Sequence, residues 1–315
     1  MRVFALTGGI GGAKLALGLA KVLAPDEVAF VVNTGDDFEH LGFHVSPDVD
    51  TLVYTLAGEA NIETGWGRQD ESWQFMRAAE QFGLPTWFRL GDRDLALHIY
   101  RRQRLAEGAT LTEVTRETCR RLGVAQPVLP MSNDPVRTRV LTPDGSLAFQ
   151  HYFVRDRCRP TVTGFEFDGI EDASINPELS ALLGAGASSD RPGAIVICPS
   201  NPFVSVDPIL AVPGMRDMLR SAGAPIIAVS PIVGGQAIKG PTAKMMRELD
   251  IPASATAVAR HYRDLITGFV LDECDASREA EVADLGLATA VTRTVMSSLD
   301  DRIALARDVL AFAGA

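Results

Sequence analysis

Val3-Phe4-Ala5-Leu6-Thr7-Gly8-Gly9-Ile10-Gly11-Gly12-Ala13-Lys14 opens the chain, and Val28-Ala29-Phe30-Val31-Val32 follows soon after. Val3 to Leu6 is a short apolar run and reads as a buried strand. Thr7 to Gly12 is too dense in glycine for a regular element and reads as a turn. From Ala13 to Leu23, apolar residues recur at Leu15, Leu19, Val22 and Leu23, the spacing of one helix face, and the pattern stops before Pro25. Val28 to Val32 is a second strand. Strand, glycine turn, helix, strand is a βαβ unit, whose crossover is right-handed and whose strands run parallel.

The same pattern returns after about residue 190. Ala194–Cys198 and Pro225–Ser230 read as buried strands, with helical stretches near Pro208–Ala222, Ala243–Leu249 and Leu299–Phe312. Between the two halves, helices are expected over Asp70–Phe82, Asp94–Leu105 and Thr112–Leu122. A β-hairpin is expected over Val136–Val154, turning at Asp144-Gly145. The expected fold is a single α/β domain spanning 1–315, with a doubly wound, mostly parallel Rossmann-like sheet and a helical and β-hairpin insertion at about 60–190.

Composition narrows the function. The chain has 315 residues with 40 acidic and 30 basic side chains, a formal net charge of −10, which argues against a nucleic-acid-binding surface. No apolar run approaches the ~18 residues of a membrane span, and the N-terminus does not read as a signal peptide. Cys119, Cys158, Cys198 and Cys274 lack metal-ligand spacing and read as reduced thiols of a cytoplasmic protein.

In an open α/β sheet, ligands bind beyond the carboxyl ends of the strands. Gly8, Gly9, Gly11 and Gly12 would let the backbone approach a phosphate at the start of a helix, with Lys14 nearby. The run fails both the P-loop pattern and the strict dinucleotide fingerprint, which weakens an NAD-dependent dehydrogenase reading. Asn33-Thr34-Gly35-Asp36-Asp37 and Ser46-Pro47-Asp48-Val49-Asp50-Thr51 bring carboxylates to the next strand end, the usual means of holding Mg²⁺. Asp48 and Asp50 share a face if that segment is extended. His40 and His44 are expected to be solvated. Arg89 to Asp94 interleaves arginines and carboxylates, either as a self-satisfied network or as an anion clamp. Ser200 and Asn201 end one later strand, and Gly234, Gly235, Lys239 and Lys244 follow another, a second phosphate- or nucleotide-binding wall. No nucleophile constellation stands out, so positioning and charge neutralisation are the expected chemistry.

Taken together and in order, Thr7-Gly8-Gly9-Ile10-Gly11-Gly12-Ala13-Lys14, Asn33-Thr34-Gly35-Asp36-Asp37, Ser46-Pro47-Asp48-Val49-Asp50-Thr51, Gly65-Trp66-Gly67, Leu90-Gly91-Asp92-Arg93-Asp94, Pro199-Ser200-Asn201-Pro202 and Ser230-Pro231-Ile232-Val233-Gly234-Gly235 resemble the 2-phospho-L-lactate transferases of coenzyme F-420 biosynthesis. The likeness runs from about residue 2 to 312. It implies attack by the ribityl hydroxyl of the deazaflavin Fo on a guanosine diphosphate-activated three-carbon acid (lactyl, enolpyruvyl or glyceryl), release of GMP, a requirement for Mg²⁺, and a homodimer. Asp50 and Arg89 match the positions with which that family contacts Fo, so the resemblance makes them the catalytic pair, Asp50 as an Fo-hydroxyl or metal contact and proton acceptor and Arg89 steadying the Fo or phosphate side; the carboxylate cluster itself offers Asp48 and Asp50 as the metal ligands. The substrate-binding set is then Gly8, Gly9, Gly11, Gly12, Lys14, Asp36, Ser200, Asn201, Gly234 and Gly235, and Trp66, Trp87 and Phe88 are candidate walls for the deazaflavin ring. The competing expectation is a non-catalytic, nucleotide-sugar-binding regulator of similar fold.

Overall fold

A strand covered on both faces has no polar side to show, and Val28–Val32 is buried at every residue. The computed structural model describes residues 2–184 and 192–315. Its central sheet is built from β1 (Arg2–Thr7), β2 (Val28–Val32), β3 (Val128–Pro130), β4 (Pro192–Ile197), β5 (Ile226–Val229), β6 (Gly268–Asp272) and β7 (Ala288–Thr292). The order across the sheet is β3-β2-β1-β4-β5-β6-β7 and every pairing is parallel. The chain winds outward from β1 in one direction, returns, and winds outward from β4 in the other. That reversal leaves a crevice beyond the carboxyl ends of β1 and β4, where loops leave the sheet in opposite directions.

Side chains alternate between faces along each strand. Val3, Ala5, Phe30 and Val32 point to a layer made by α1 (Gly9–Val22), α2 (Pro47–Ala57) and the C-terminal helix Leu299–Ala313. Phe4, Leu6, Ala29 and Val31 point to the other layer, with Phe203, Ile209, Leu219 and Met245. The doubly wound α/β expectation therefore holds.

Local readings differ in four places. The glycine run is not an open turn: α1 begins at Gly9, so Gly9 to Gly12 form its first turn. A Cβ at Gly11 would come within 2.5 Å of the Pro199 carbonyl oxygen, and one at Gly12 would overlap the Thr7 and Ser200 hydroxyls. Glycine here lets the start of a helix press against the ends of β1 and β4. The hairpin forms between Arg137–Thr142 and Gly145–Ala148, joined by Gly164–Asp168, but it stops at Ala148 and His151–Arg155 is a π-turn. The Pro208–Ala222 helix is two, Asp207–Ala211 and Met215–Ser221, broken around Pro213-Gly214. Within the 60–190 stretch, β3 belongs to the central sheet, while α3 (Asp92–Ala106), Leu111–Arg121 and the hairpin surround its edge.

α1 packs on the C-terminal helix at Gly18, where a Cβ would run into the backbone oxygen of Arg302. Gly18→Ala is therefore expected to destabilise the fold by about 1–3 kcal/mol through overpacking, despite alanine's better helix propensity, as read by urea unfolding.

Candidate active site

One cavity of about 370 Å³ opens beyond the carboxyl ends of β1 and β4. Gly8, Gly9, Ile10, Gly11 and Lys14 form one side, from the start of α1, and Pro199, Ser200 and Asn201 form the next, after β4. Asp36, after β2, and Asp48 and Thr51, on α2, complete the polar end. Trp66, Phe88, Phe149 and Phe153 give an apolar wall, and Arg89 reaches the cavity with its guanidinium over the Trp73 ring, 3.9 Å from the centroid. Ser230, Lys239, Thr294 and Met296 close the side under β5 and β7.

The polar end is organised by Asp48. Its Oδ1 accepts the Gly9 N–H at 2.8 Å and its Oδ2 accepts from Asn33 Nδ2 at 2.9 Å. Burial pushes the Asp48 carboxyl up to about 6, although the Asn33 and Gly9 donors oppose the shift. Burial, then repulsion from Asp48 and Asp37, raises Asp36 well above the usual carboxylate range, and its Oδ1 has no hydrogen-bond partner. Among the described residues no three His, Cys, Asp or Glu side chains gather as a metal cluster. Mg²⁺ is commonly held by one or two carboxylates plus substrate phosphates, and a buried pair with an orphaned oxygen fits that need.

Asp50 is elsewhere. Residues two apart on a helix point about 200° apart, so α2 sends Asp48 to the cavity and Asp50 away from it. Both Asp50 oxygens are bound by the buried Arg101 guanidinium, Nη1 at 3.1 Å from Oδ2 and Nη2 on Oδ1. Arg101 Nη1 also donates to the His44 carbonyl, and His98 stands between Asp50 and Asp94, its Nε2 3.3 Å from the Asp94 carboxylate. The extended reading that put Asp48 and Asp50 on one face is corrected by the helix.

Other expected residues divide. Gly8, Gly9, Gly11, Lys14, Asp36, Ser200, Asn201 and Arg89 line the cavity. Gly12 lies behind it, against Thr7 and Ser200. Gly234 and Gly235 turn the small hairpin Ile232–Val233/Gln236–Ala237, and the Gly234 N–H is spent on Asp275 Oδ2. Lys244 is bound to Glu248, the Pro160 carbonyl and Tyr152. Asp37 accepts from Ser46 and pairs with His44, while His40 is buried beside Trp87 and Phe88 rather than solvated. Trp87 packs on Phe38, His40 and His151 and does not line the cavity. Asp92 and Asp94 are taken by the protein itself, on Ser72 and Tyr54, so Arg89 alone of that cluster faces the cavity. Sequence reading missed Phe149 and Phe153, whose rings stack at 5.4 Å; their four-residue spacing is helical and was the available signal against a strand.

The cavity lies at the switch point of a doubly wound α/β sheet, the place where proteins of this class take their ligands. The family described as 2-phospho-L-lactate transferase CofD matches residues 3–293, and the chain belongs to it: the protein is a transferase of the CofD family. Phosphoenolpyruvate transferase from Kitasatospora aureofaciens is 40% identical over 99% of this chain and 98% of the relative. 2-Phospho-L-lactate transferase from Methanosarcina mazei is 34% identical over 96% and 98%. A solved Bacillus halodurans protein of the upf0052 family shares the fold with a TM-score of 0.63 at 16% identity, over 98% of each chain. No helix among the described residues is long and apolar enough to cross a membrane.

Two predictions follow from the charges. Asp36 has a folded pKa above its unfolded one, so its contribution to stability is greatest at low pH and is lost as pH rises towards the raised value. Asp36→Asn should raise Tm by a few °C at pH 8, with the gain shrinking at pH 5, in a fluorescence melt across pH. Arg101→Met leaves Asp50 buried and unpaired, so it should remove about 3–5 kcal/mol in urea unfolding, while Asp50→Leu in the same chain should restore most of it.

Proposed function

We propose that the protein transfers a phospho-three-carbon-acid unit from a guanosine diphosphate-activated donor, in which the unit's phosphate is the outer of the two, to the terminal ribityl hydroxyl of Fo in coenzyme F-420 biosynthesis. The observation that carries this reading is one cavity with an aromatic wall at one side and buried carboxylates beside a helix start at the other, in a CofD-family chain. The phosphoenolpyruvate transferases of Kitasatospora aureofaciens and Streptomyces griseus, each 40% identical, favour enolpyruvyl as the three-carbon group.

The ribityl oxygen forms a bond to the phosphorus bearing the three-carbon acid, the bond from that phosphorus to GMP breaks, and GMP leaves with the electron pair. The hydroxyl proton leaves late, to a phosphate oxygen of the departing GMP, so orienting the attacking oxygen matters more than a strong base. Trp66, Phe88, Phe149 and Phe153 would sandwich the flat deazaflavin and exclude water, and Arg89, braced on Trp73, would steady the acceptor. Ile10 and Gly11 offer first-turn amides to the diphosphate, beside the Ser200 hydroxyl. Asp36 and Asp48 would hold Mg²⁺, which when bound neutralises the donor's diphosphate. Asp50, tied to Arg101, supports α2 in this arrangement instead of touching the acceptor. On this reading the enzyme works in the cytoplasm as a homodimer.

Purified protein incubated with Fo, Mg²⁺ and each of the three donors (guanosine diphosphate-activated phosphoenolpyruvate, phospholactate and phosphoglycerate) should release GMP and a charged deazaflavin, fastest with enolpyruvyl. Asp48→Asn should lower kcat on the order of a hundredfold or more, in the range seen when one transition-state contact is removed. No GMP from any donor, with nucleotide binding retained, would favour the regulator instead.

A further inference from the structure

The cavity that holds Asp36 and Asp48 also carries two ammonium groups on its wall. Lys14, on the second turn of α1, and Lys239, just beyond the small hairpin Ile232–Val233/Gln236–Ala237, both line the cavity. Lys14 Nζ donates to the Met296 carbonyl at 2.8 Å, which anchors the ammonium against the loop after β7. Lys239 Nζ lies against the Gly65 backbone, where a Cβ would stand only 3.1 Å from it. Neither lysine pairs with a carboxylate among the described residues, and Arg302, close to Lys14, keeps a buried Nε with no partner. Burial, then repulsion from Arg302 and Lys239, lowers the Lys14 ammonium below the usual lysine range. Lys14 and Lys239 are thus two ammonium groups on the cavity wall, unpaired among the described residues, with the Arg302 charge behind Lys14, and their mutual repulsion is relieved when an anion enters.

Which anion follows from position along α1. The diphosphate belongs by Gly9, next to Asp36 and Asp48. Lys14 is five positions further on, about 7–8 Å along the helix axis, and helical side chains lean back towards the N-terminus. A donor laid beside α1 from its phosphate end therefore presents its next anionic group to these ammonium groups. In a nucleotide-activated phospho-acid that group is the carboxylate, borne by the carbon that carries the ester oxygen.

We propose that Lys14 and Lys239 bind the carboxylate of the donor's three-carbon acid. The assignment rests on the transferase reading and names the part of the donor that these ammonium groups take. Lactyl, enolpyruvyl and glyceryl units all carry this carboxylate, so the lysines read what the three donors share, and the choice among them lies elsewhere in the cavity.

The test is titration calorimetry of phosphoenolpyruvate and, separately, of GDP into wild type, Lys14→Gln, Lys239→Gln and the double variant, with melts to verify folding. Charged hydrogen bonds of this kind predict a loss on the order of tenfold in phosphoenolpyruvate affinity per lysine, with GDP affinity within about twofold of wild type. Lys14→Arg and Lys239→Arg should recover most of the loss. In turnover, the glutamine variants should raise KM for all three donors by similar factors while KM for Fo stays put. The assignment is overturned by no phosphoenolpyruvate binding to wild type, by unchanged phosphoenolpyruvate binding in the double variant, or by an equal loss of GDP, which would give the lysines to the diphosphate. Absence of turnover with any donor in wild type would instead sink the transferase reading, and the two titrations still read the lysines in that event.

Discussion

A single carboxylate, Asp48, joins the parts on which the site depends. Through Gly9 N–H it meets the first turn of α1 at the end of β1, and through Asn33 Nδ2 it meets the end of β2, while its own backbone opens α2. In many α/β folds a ligand phosphate takes the helix N-terminus. Here a side-chain carboxylate already occupies part of it. A diphosphate arriving beside Asp48 and Asp36 in their charged forms would be repelled unless a cation lay between them.

Close approach of backbones sets the shape of that end. The first turn of α1 can touch the Pro199 carbonyl and the Ser200 hydroxyl because Gly11 and Gly12 carry no Cβ. The same contact brings the ends of β1 and β4 together at the switch point of the sheet, where the cavity opens. The glycines are spent mainly on packing two strand ends against a helix, and the ligand inherits the space that results.

The Asp50–Arg101 pair shows how a chemically suggestive residue becomes structural. Two buried charges that satisfy each other resist being pulled apart, since a lone buried charge is expensive. Arg101 also reaches the His44 carbonyl, so it fastens α2 and the strand pair Phe38–His40/Phe43–Val45 to α3. The segments carrying Asp36 and Asp48 are thereby held from behind.

Runs of apolar residues wide enough for both faces of a sheet, such as Val28–Val32 and Ala194–Cys198, carry their strand identity in the sequence, because a doubly covered strand needs no polar side. The βαβ start, the parallel sheet and the ordered motifs of the CofD family were legible for that reason, and so were Gly8, Gly9, Gly11, Lys14, Asp36, Asp48, Arg89, Ser200 and Asn201 as cavity residues. Direction was not legible. Whether Asp48 and Asp50 diverge depends on helix or strand, whether Trp87 meets a ligand or His40 depends on a neighbouring hairpin, and Lys244 was claimed by Glu248. Sequence determined which chemical groups lie near the strand ends, since local pattern places them there. Tertiary structure alone decided which of them remain free to meet a ligand, because burial and pairing are settled by residues distant in the chain.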